Sequence, residues 1–87
     1  MKKLCTLDIE ASSLNTQEAK LKFIGIEDLQ TNKKNIIQYK NPKEVNDILK
    51  DYDFIITFNG DNYDLPILKR YKINIPEYKH INFLCSI

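Results

Sequence analysis

Residue types that define several protein classes are scarce in this chain of 87 residues. Two Gly and three Pro exclude collagen-like and low-complexity sequences, and two Cys are too few for a disulfide framework. Cys5 and Cys85 stand at opposite ends of the chain, without the CxxC spacing of a zinc knuckle. We expect both to be small buried side chains in a reducing cytosol.

Long apolar runs and an excess of one charge are also missing. No run approaches the ~20 residues that span a bilayer, and Asp8 and Glu10 interrupt the first apolar stretch too early for a signal peptide. We therefore expect a cytoplasmic protein with no membrane partner. The formal net charge of +1 neither favours nor excludes a polyanionic partner.

The remaining composition is that of a compact globular chain. Apolar residues make up 43% and charged residues 29% of the sequence. The length allows one small domain, so a two-domain organisation is excluded.

The first half of the chain predicts three antiparallel strands and a helix. Residues 4–9, 21–26 and 36–39 are strand candidates, and turn-forming residues at 31–35 make 21–39 a hairpin. Asn41, Pro42 and Glu44 then provide an N-cap, a first helical position and a capping box. The apolar stripe that follows faces a core and consists of Val45, Ile48, Leu49 and Tyr52.

The second half predicts two more strands around a second helix. Residues 54–58 form a continuous apolar run, typical of a central strand covered on both faces. Asp64 begins a helix that tolerates Pro66 in its first turn and extends to about residue 72, with Ile67, Leu68 and Tyr71 inward. After a connector at 73–76, residues 81–84 form a short fifth strand.

This order of elements predicts an α/β fold with a mixed sheet. The crossover from the first strand through a helix to the fourth requires a parallel pair, which gives the strand order 3-2-1-4-5 with helices on the faces of the sheet. Ligands of such sheets bind beyond the carboxyl ends of the strands, where the topology switches.

Three carboxylates fall at this predicted edge of the sheet. Asp8 and Glu10 project to the same side of the first strand, about 6.5–7 Å apart along the chain. If the first and fourth strands are neighbours, Asp64 can face them. Carboxylate oxygens suit Mg²⁺ or Mn²⁺, although Asp64 is equally compatible with helix capping, and Asn59-Gly60 with an ordinary turn.

Two sequence motifs resemble those of a known enzyme family. Residues 7–14, Leu-Asp-Ile-Glu-Ala-Ser-Ser-Leu, are similar to the first motif of the DEDD-type 3′-to-5′ exonucleases, and residues 56–68 are similar to the second. The branch that they resemble is related to the proofreading domains of family-B DNA polymerases, within the ribonuclease H-like superfamily. The resemblance covers roughly residues 3–84 and only the front part of the family's domain, which implies a single, C-terminally truncated domain over residues 1–87.

The resemblance implies both a site and a reaction. Asp8, Glu10 and Asp64 would be the catalytic, metal-binding carboxylates, while Asn59, Tyr63 and Leu14 would bind the substrate. Asn59 would orient either the substrate strand or the turn of the second motif. The implied reaction is two-metal hydrolysis of terminal phosphodiesters, with Mg²⁺ or Mn²⁺ as cofactor and the 3′ end of single-stranded DNA or RNA as substrate. Such a site grips the backbone, so no base specificity is expected.

Part of the family pattern is missing. The family has a fourth carboxylate on a later helix, four residues after a His or Tyr base, but Glu77 is the only acidic residue after Asp64. Asn82 stands where the related branch often has an acid, and His80 is either a strand-edge side chain or a proton acceptor. Whether the chain is an enzyme by itself is therefore open.

Three functions remain compatible with the sequence. The chain is an exonuclease domain completed by a downstream segment, a partner chain or a second copy, or it is an inactive remnant that binds nucleic acid or protein, or it is a small structural domain. The basic residues at 69–72 are compatible with a nucleic-acid contact, and equally with cations that complement the end of a helix.

Overall fold

The computed structural model describes residues 2–83, which form one five-stranded sheet and two α-helices. The elements in chain order are β1 (Leu4–Ala11), β2 (Leu21–Asp28), β3 (Lys34–Gln38), α1 (Pro42–Leu49), β4 (Phe54–Phe58), α2 (Asp64–Arg70), a 3₁₀ turn (Glu77–Lys79) and β5 (His80–Phe83). The predicted end of the fifth strand at Leu84, and the environment of Cys85, lie outside the described residues.

The sheet has the predicted topology. Its order is β3-β2-β1-β4-β5, with β1, β2 and β3 antiparallel and with β4 parallel to both β1 and β5. The registers place Asp8 opposite Gly25 of β2 and Thr6 beside Ile56 of β4. The crossover through α1 therefore makes β1 and β4 neighbours, as the sequence predicted.

Both helices contribute to a single apolar core on one face of the sheet. Inward side chains alternate along β1 and β2, and they pack with α1 and α2 into one cluster: Cys5, Leu7, Ile9, Ile24, Ile26, Val45, Leu49, Ile55, Ile67 and Leu68. Burial of a large apolar side chain stabilises the fold by roughly 1.5–3 kcal/mol. The prediction that Cys5 is buried is confirmed, and burial raises the pKa of its thiol to about 12.

The opposite face of the sheet is open among residues 2–83, and this corrects one prediction. We expected β4 to be covered on both faces, but only Ile55 and Thr57 are buried, while Phe58 is 55% exposed. The continuous apolar run gave a wrong prediction of burial, because apolar side chains of β4 also point to the open face. They continue there with Phe23, Ile36, Ile81 and Phe83, all of them exposed.

The two helices begin where the sequence predicted. The side chain of Asn41 accepts a hydrogen bond from the Glu44 N–H, and Pro42 occupies the first turn of α1. Helix α2 begins at Asp64 but ends at Arg70, two residues before the predicted limit, because Lys72 takes a left-handed conformation with φ 63°. None of the helices within residues 2–83 is long and apolar enough to cross a membrane.

Candidate active site

Strand β1 places Asp8 and Glu10 on the open face of the sheet, near its carboxyl end. Both side chains are exposed, whereas Leu7 and Ile9 between them are buried. The two acids line a shallow cavity of about 270 Å³, whose other lining residues are Ile9, Phe23, Gly25, Lys34 and Ile36. The pairing with β2 shifts register directly after Glu10, and such bulges redirect strands beside functional sites.

Asp64 lies at the first position of α2, directly after the loop that leaves β4. Its side chain is buried, with 5% of the residue exposed. Burial raises the pKa of this carboxyl from 3.8 to about 6, and the negative charge of Asp8 adds to the effect. Asp64 thus follows the loop that leaves β4, and β4 is the parallel neighbour of the strand that carries Asp8.

Glu10 does not join these two acids in a closed group. Within residues 2–83, no three His, Cys, Asp or Glu side chains lie close enough together to hold one ion. The ion pairs found in the same part of the chain involve Asp47 and Asp61, and none involves Asp8 or Asp64. Glu10 lies on the same face of β1 as Asp8, two residues further along the strand.

The acids of the candidate site are oxygen donors. Burial of Asp64 disfavours its charged form, and the negative charge of Asp8 adds to this effect. Oxygen ligands that carry this charge are those that Mg²⁺ and Mn²⁺ prefer. The two side chains could hold such an ion, and Glu10 is the nearest further acid on the same strand.

The loop between β4 and α2 has a defined conformation. Asn59 takes a left-handed conformation with φ 57°, its N–H donates to the Phe83 carbonyl at 3.0 Å, and its side chain accepts from Asn62. Gly60 packs on Thr57 so closely that a Cβ would lie 2.6 Å from the Thr57 Cβ. Asn59-Gly60 therefore forms a turn whose conformation is fixed by contacts with Thr57, Asn62 and Phe83.

Tyr63 connects this loop to the segment that follows β1. Its hydroxyl donates a hydrogen bond to the Ser13 carbonyl at 2.9 Å, which sequence analysis did not foresee. Leu14, the next residue, is 89% exposed. The predicted substrate contacts Asn59 and Leu14 are thus accessible, and Tyr63 holds the segment that carries Leu14 next to the start of α2.

The basic end of α2 has a structural contact. Arg70 donates hydrogen bonds to the Thr16 and Ala19 carbonyls, both at 2.8 Å. It therefore supports the segment between β1 and β2, while Lys69 stays exposed in the last turn of the helix. Of the two interpretations of this basic stretch, neither anticipated that Arg70 joins α2 to the β1–β2 connection.

His80 and Asn82 on β5 contact the β4–α2 loop rather than solvent. His80 lies on the edge strand of the described sheet, but its side chain is only 7% exposed and its Nε2 lies 2.6 Å from the Thr57 hydroxyl. Asn82 accepts from the Gly60 N–H at 2.9 Å and donates to Asp61 at 2.8 Å. The His-x-Asn spacing was the only sequence signal for this arrangement.

Comparison with known proteins adds a family to this geometry. A family model described as the RNase_H superfamily matches residues 5–85. The chain belongs to the RNase_H superfamily. A segment of the chain is 50% identical over 42 residues to a protein named DNA polymerase from Methanocaldococcus jannaschii. The matched segment covers 44% of this chain and 3% of that protein.

Membership of the RNase_H superfamily agrees with the observed strand order. Together they identify an RNase H-like, nuclease-type α/β domain, which confirms the superfamily that the two motifs implied. The chain spans about 3% of the length of the polymerase that it matches. The activity of that whole protein therefore enters only as a proposal.

Proposed function

We propose that this domain is a divalent-metal-dependent 3′-to-5′ exonuclease acting on single-stranded nucleic acid. The observation that supports the proposal is the arrangement of three acids at neighbouring parallel strands, with Asp8 and Glu10 exposed on one face of β1 and the Asp64 carboxyl buried after the loop that leaves β4. Superfamily membership and the partial match to a DNA polymerase support the same chemistry.

The proposed roles follow from where the side chains lie. Asp8 and Asp64 would hold Mg²⁺ or Mn²⁺, and Glu10 would approach them once a cation reduces the repulsion. When bound, the metal would polarise a phosphodiester and lower the pKa of a water molecule. The exposed side chains of Leu14 and Asn59 would contact the substrate strand, and Tyr63, whose hydroxyl donates to the Ser13 carbonyl, would hold the segment of Leu14.

Completion of the site by another polypeptide segment belongs to the same proposal. The family has a fourth carboxylate that residues 65–83 do not supply, because Glu77 on the 3₁₀ turn is their only acid. A partner chain or a second copy of this chain would contribute it. Activity of the isolated chain is then expected to be weak and to rise with the added segment.

A catalytically silent nucleic-acid- or protein-binding module is the second candidate. It is favoured by Asn82, which engages its amide in hydrogen bonds to Gly60 and Asp61 and carries no charge for a metal. Under this alternative the chain would bind single strands in a salt-dependent way and leave them intact.

Label release from oligonucleotides separates the two candidates. The chain is incubated with 3′-labelled single-stranded DNA and RNA in Mn²⁺ or Mg²⁺, beside Asp8→Asn and Asp64→Asn. Asp51→Asn is the matched control, because Asp51 is an exposed acid between α1 and β4, at the opposite end of β4 from the loop that leads to Asp64.

The exonuclease proposal expects metal-dependent release of the 3′ label by the parent and by Asp51→Asn. Loss of a metal-binding carboxylate should reduce the rate by at least about 100-fold. Binding without release, unchanged by Asp8→Asn, would support the binding module. Release that is equally fast in all four proteins would indicate a contaminating nuclease and contradict the assignment of Asp8 and Asp64.

A further inference from the structure

Four polar side chains form a connected group behind the loop that leads to Asp64. The Thr57 hydroxyl and His80 Nε2 are 2.6 Å apart, and His80 Nδ1 lies 3.6 Å from an Asp61 carboxylate oxygen. The other oxygen of Asp61 accepts from the Asn82 amide at 2.8 Å. The group joins β4, β5 and the loop, and it contains none of the proposed metal ligands.

The order hydroxyl, imidazole, carboxylate is that of a nucleophilic triad, but burial excludes that role. Thr57 is 0% exposed and its hydroxyl packs beneath Gly60. A nucleophile must reach the substrate, which this hydroxyl cannot do in the observed structure. The group is therefore expected to act on the position of the loop.

The loop is attached to β5 on one side and to α2 on the other. The N–H groups of Asn59 and Gly60 donate to the Phe83 carbonyl and to the Asn82 side chain. The Gly60 carbonyl accepts from the N–H of Leu65, which follows Asp64, at 2.8 Å. A displacement of Gly60 would thus be transmitted to the first turn of α2.

We propose that Asn82 is a positioning residue, which holds Gly60 and Asp61 against β5 and thereby fixes the loop that places the Asp64 carboxyl. This inference rests on the proposed nuclease function. It assigns to β5 a role in the site although the described side chains of this strand make no hydrogen bond to Asp8, Glu10 or Asp64.

The Asn82–Asp61 contact supplies a test through exchange of the two side chains. Asn82 both donates to Asp61 and accepts from Gly60, so the pair needs at least one amide, and two carboxylates leave it without a donor. Asn82→Asp alone places two carboxylates in contact, whereas Asn82→Asp combined with Asp61→Asn restores one donor and one acceptor. The double exchange also keeps the volume of both side chains.

Three readouts are measured for the parent, Asn82→Asp and the double exchange. They are the hydrogen-exchange rate of the Gly60 amide by NMR, the melting temperature, and kcat and KM for Mn²⁺-dependent release of a 3′ label. Asn41→Ala, which removes the N-cap of α1 away from the site, is the control for lost stability alone.

In Asn82→Asp we expect faster exchange at Gly60 and a decrease of about tenfold in kcat with little change in KM, because misplaced catalytic groups affect the chemical step. The double exchange should return the Gly60 exchange rate and kcat to within about threefold of the parent values. Asn41→Ala should lower the melting temperature and leave kcat unchanged at a temperature where it is folded.

Several results would overturn the inference. Parental kcat in Asn82→Asp, or a double exchange that restores Gly60 protection without restoring kcat, would show that the group has no effect on the site. If the parent itself shows no release and no Mn²⁺-induced broadening of the Asp8 and Asp64 signals, the proposed function fails, and the positioning role fails with it. The Gly60 exchange rates would still report whether the Asn82 contact exists.

Discussion

The carboxyl group of Asp64 links the stability of the fold to pH. Burial and the charge of Asp8 raise its pKa from 3.8 to about 6. A carboxyl whose pKa is higher in the folded than in the unfolded state stabilises the fold when protonated, and that contribution is lost as the pH rises between these two values. The linkage corresponds to an effect on the order of 2–3 kcal/mol.

We therefore expect Asp64→Asn to be more stable than the parent at pH 7.5 by roughly 2 kcal/mol and nearly equal to it at pH 4. Urea unfolding followed by circular dichroism at both pH values measures this difference. Asp51→Asn, which changes an exposed acid, should not show the same pH dependence. If the difference in the free energy of unfolding between the parent and Asp64→Asn is the same at pH 4 and pH 7.5, the raised pKa of the buried carboxyl is contradicted.

The loop between β4 and α2 leaves no room for a side chain at Gly60. A Cβ at this position would overlap the hydroxyl of Thr57 and lie 2.6 Å from its Cβ. Because Thr57 is buried in β4, it has no room to move away. We expect Gly60→Ala to destabilise the fold by about 1–3 kcal/mol or more.

Gly25 provides the matched control for this substitution. A Cβ there would meet the Lys34 side chain at 3.7 Å and the Asp8 carbonyl at 3.8 Å, which are ordinary contacts. Gly25→Ala should therefore change the free energy of unfolding by less than about 1 kcal/mol. Thermal unfolding of both variants decides the question, and equal stabilities would show that Gly60 is not tightly packed.

At the scale of elements, α1 depends on the side chain that precedes it. Asn41 caps the helix through the Glu44 N–H at 3.1 Å. Asn41→Ala should lower the free energy of unfolding by about 1 kcal/mol, whereas Asn41→Ser should retain most of it because serine also accepts this bond. Denaturant titration of the two variants tests the cap, and equal losses would show that another group satisfies the Glu44 N–H.

The helix starts were predictable because their sequence signals are local, and the strand order was predictable because few topologies accommodate the crossover. Asn41 and Pro42 mark one helix start, and the single crossover between β1 and β4 limits the topology to few solutions. The apolar run of β4 was misread, because a run shows that side chains are apolar and not that both faces are covered. Phe58 is apolar and exposed all the same.

The placement of the candidate site was predictable to the extent that topology controls it. The single crossover predicted that β4, which leads to the loop before Asp64, pairs in parallel with β1, which carries Asp8. The contacts of His80 and Asn82 were not predictable, since they depend on the register of β5 against β4 and on the conformation of the loop at Asn59. A shift of one residue in a strand sends each side chain to the other face.

At the scale of the whole molecule, the open face of the sheet bears both acids and apolar side chains. Phe58 and Phe83 contact each other edge to face, with ring centroids 5.9 Å apart, and Ile36 is 69% exposed on β3 at the other side of the sheet. Exposed apolar side chains on one face of a sheet favour association. Nothing on the described chain covers these side chains.

We expect the isolated chain to associate with a concentration dependence that sedimentation velocity can measure between micromolar and millimolar protein. The paired substitutions Ile36→Gln and Phe58→Gln should shift it to monomer, because both remove apolar area from this face. Tyr78→Gln is the control, since Tyr78 is 79% exposed on the 3₁₀ turn before β5. Association that persists in the paired variant would place the contact elsewhere, and a parent that stays monomeric throughout would show that the acids interrupt the apolar surface enough to keep the face solvated.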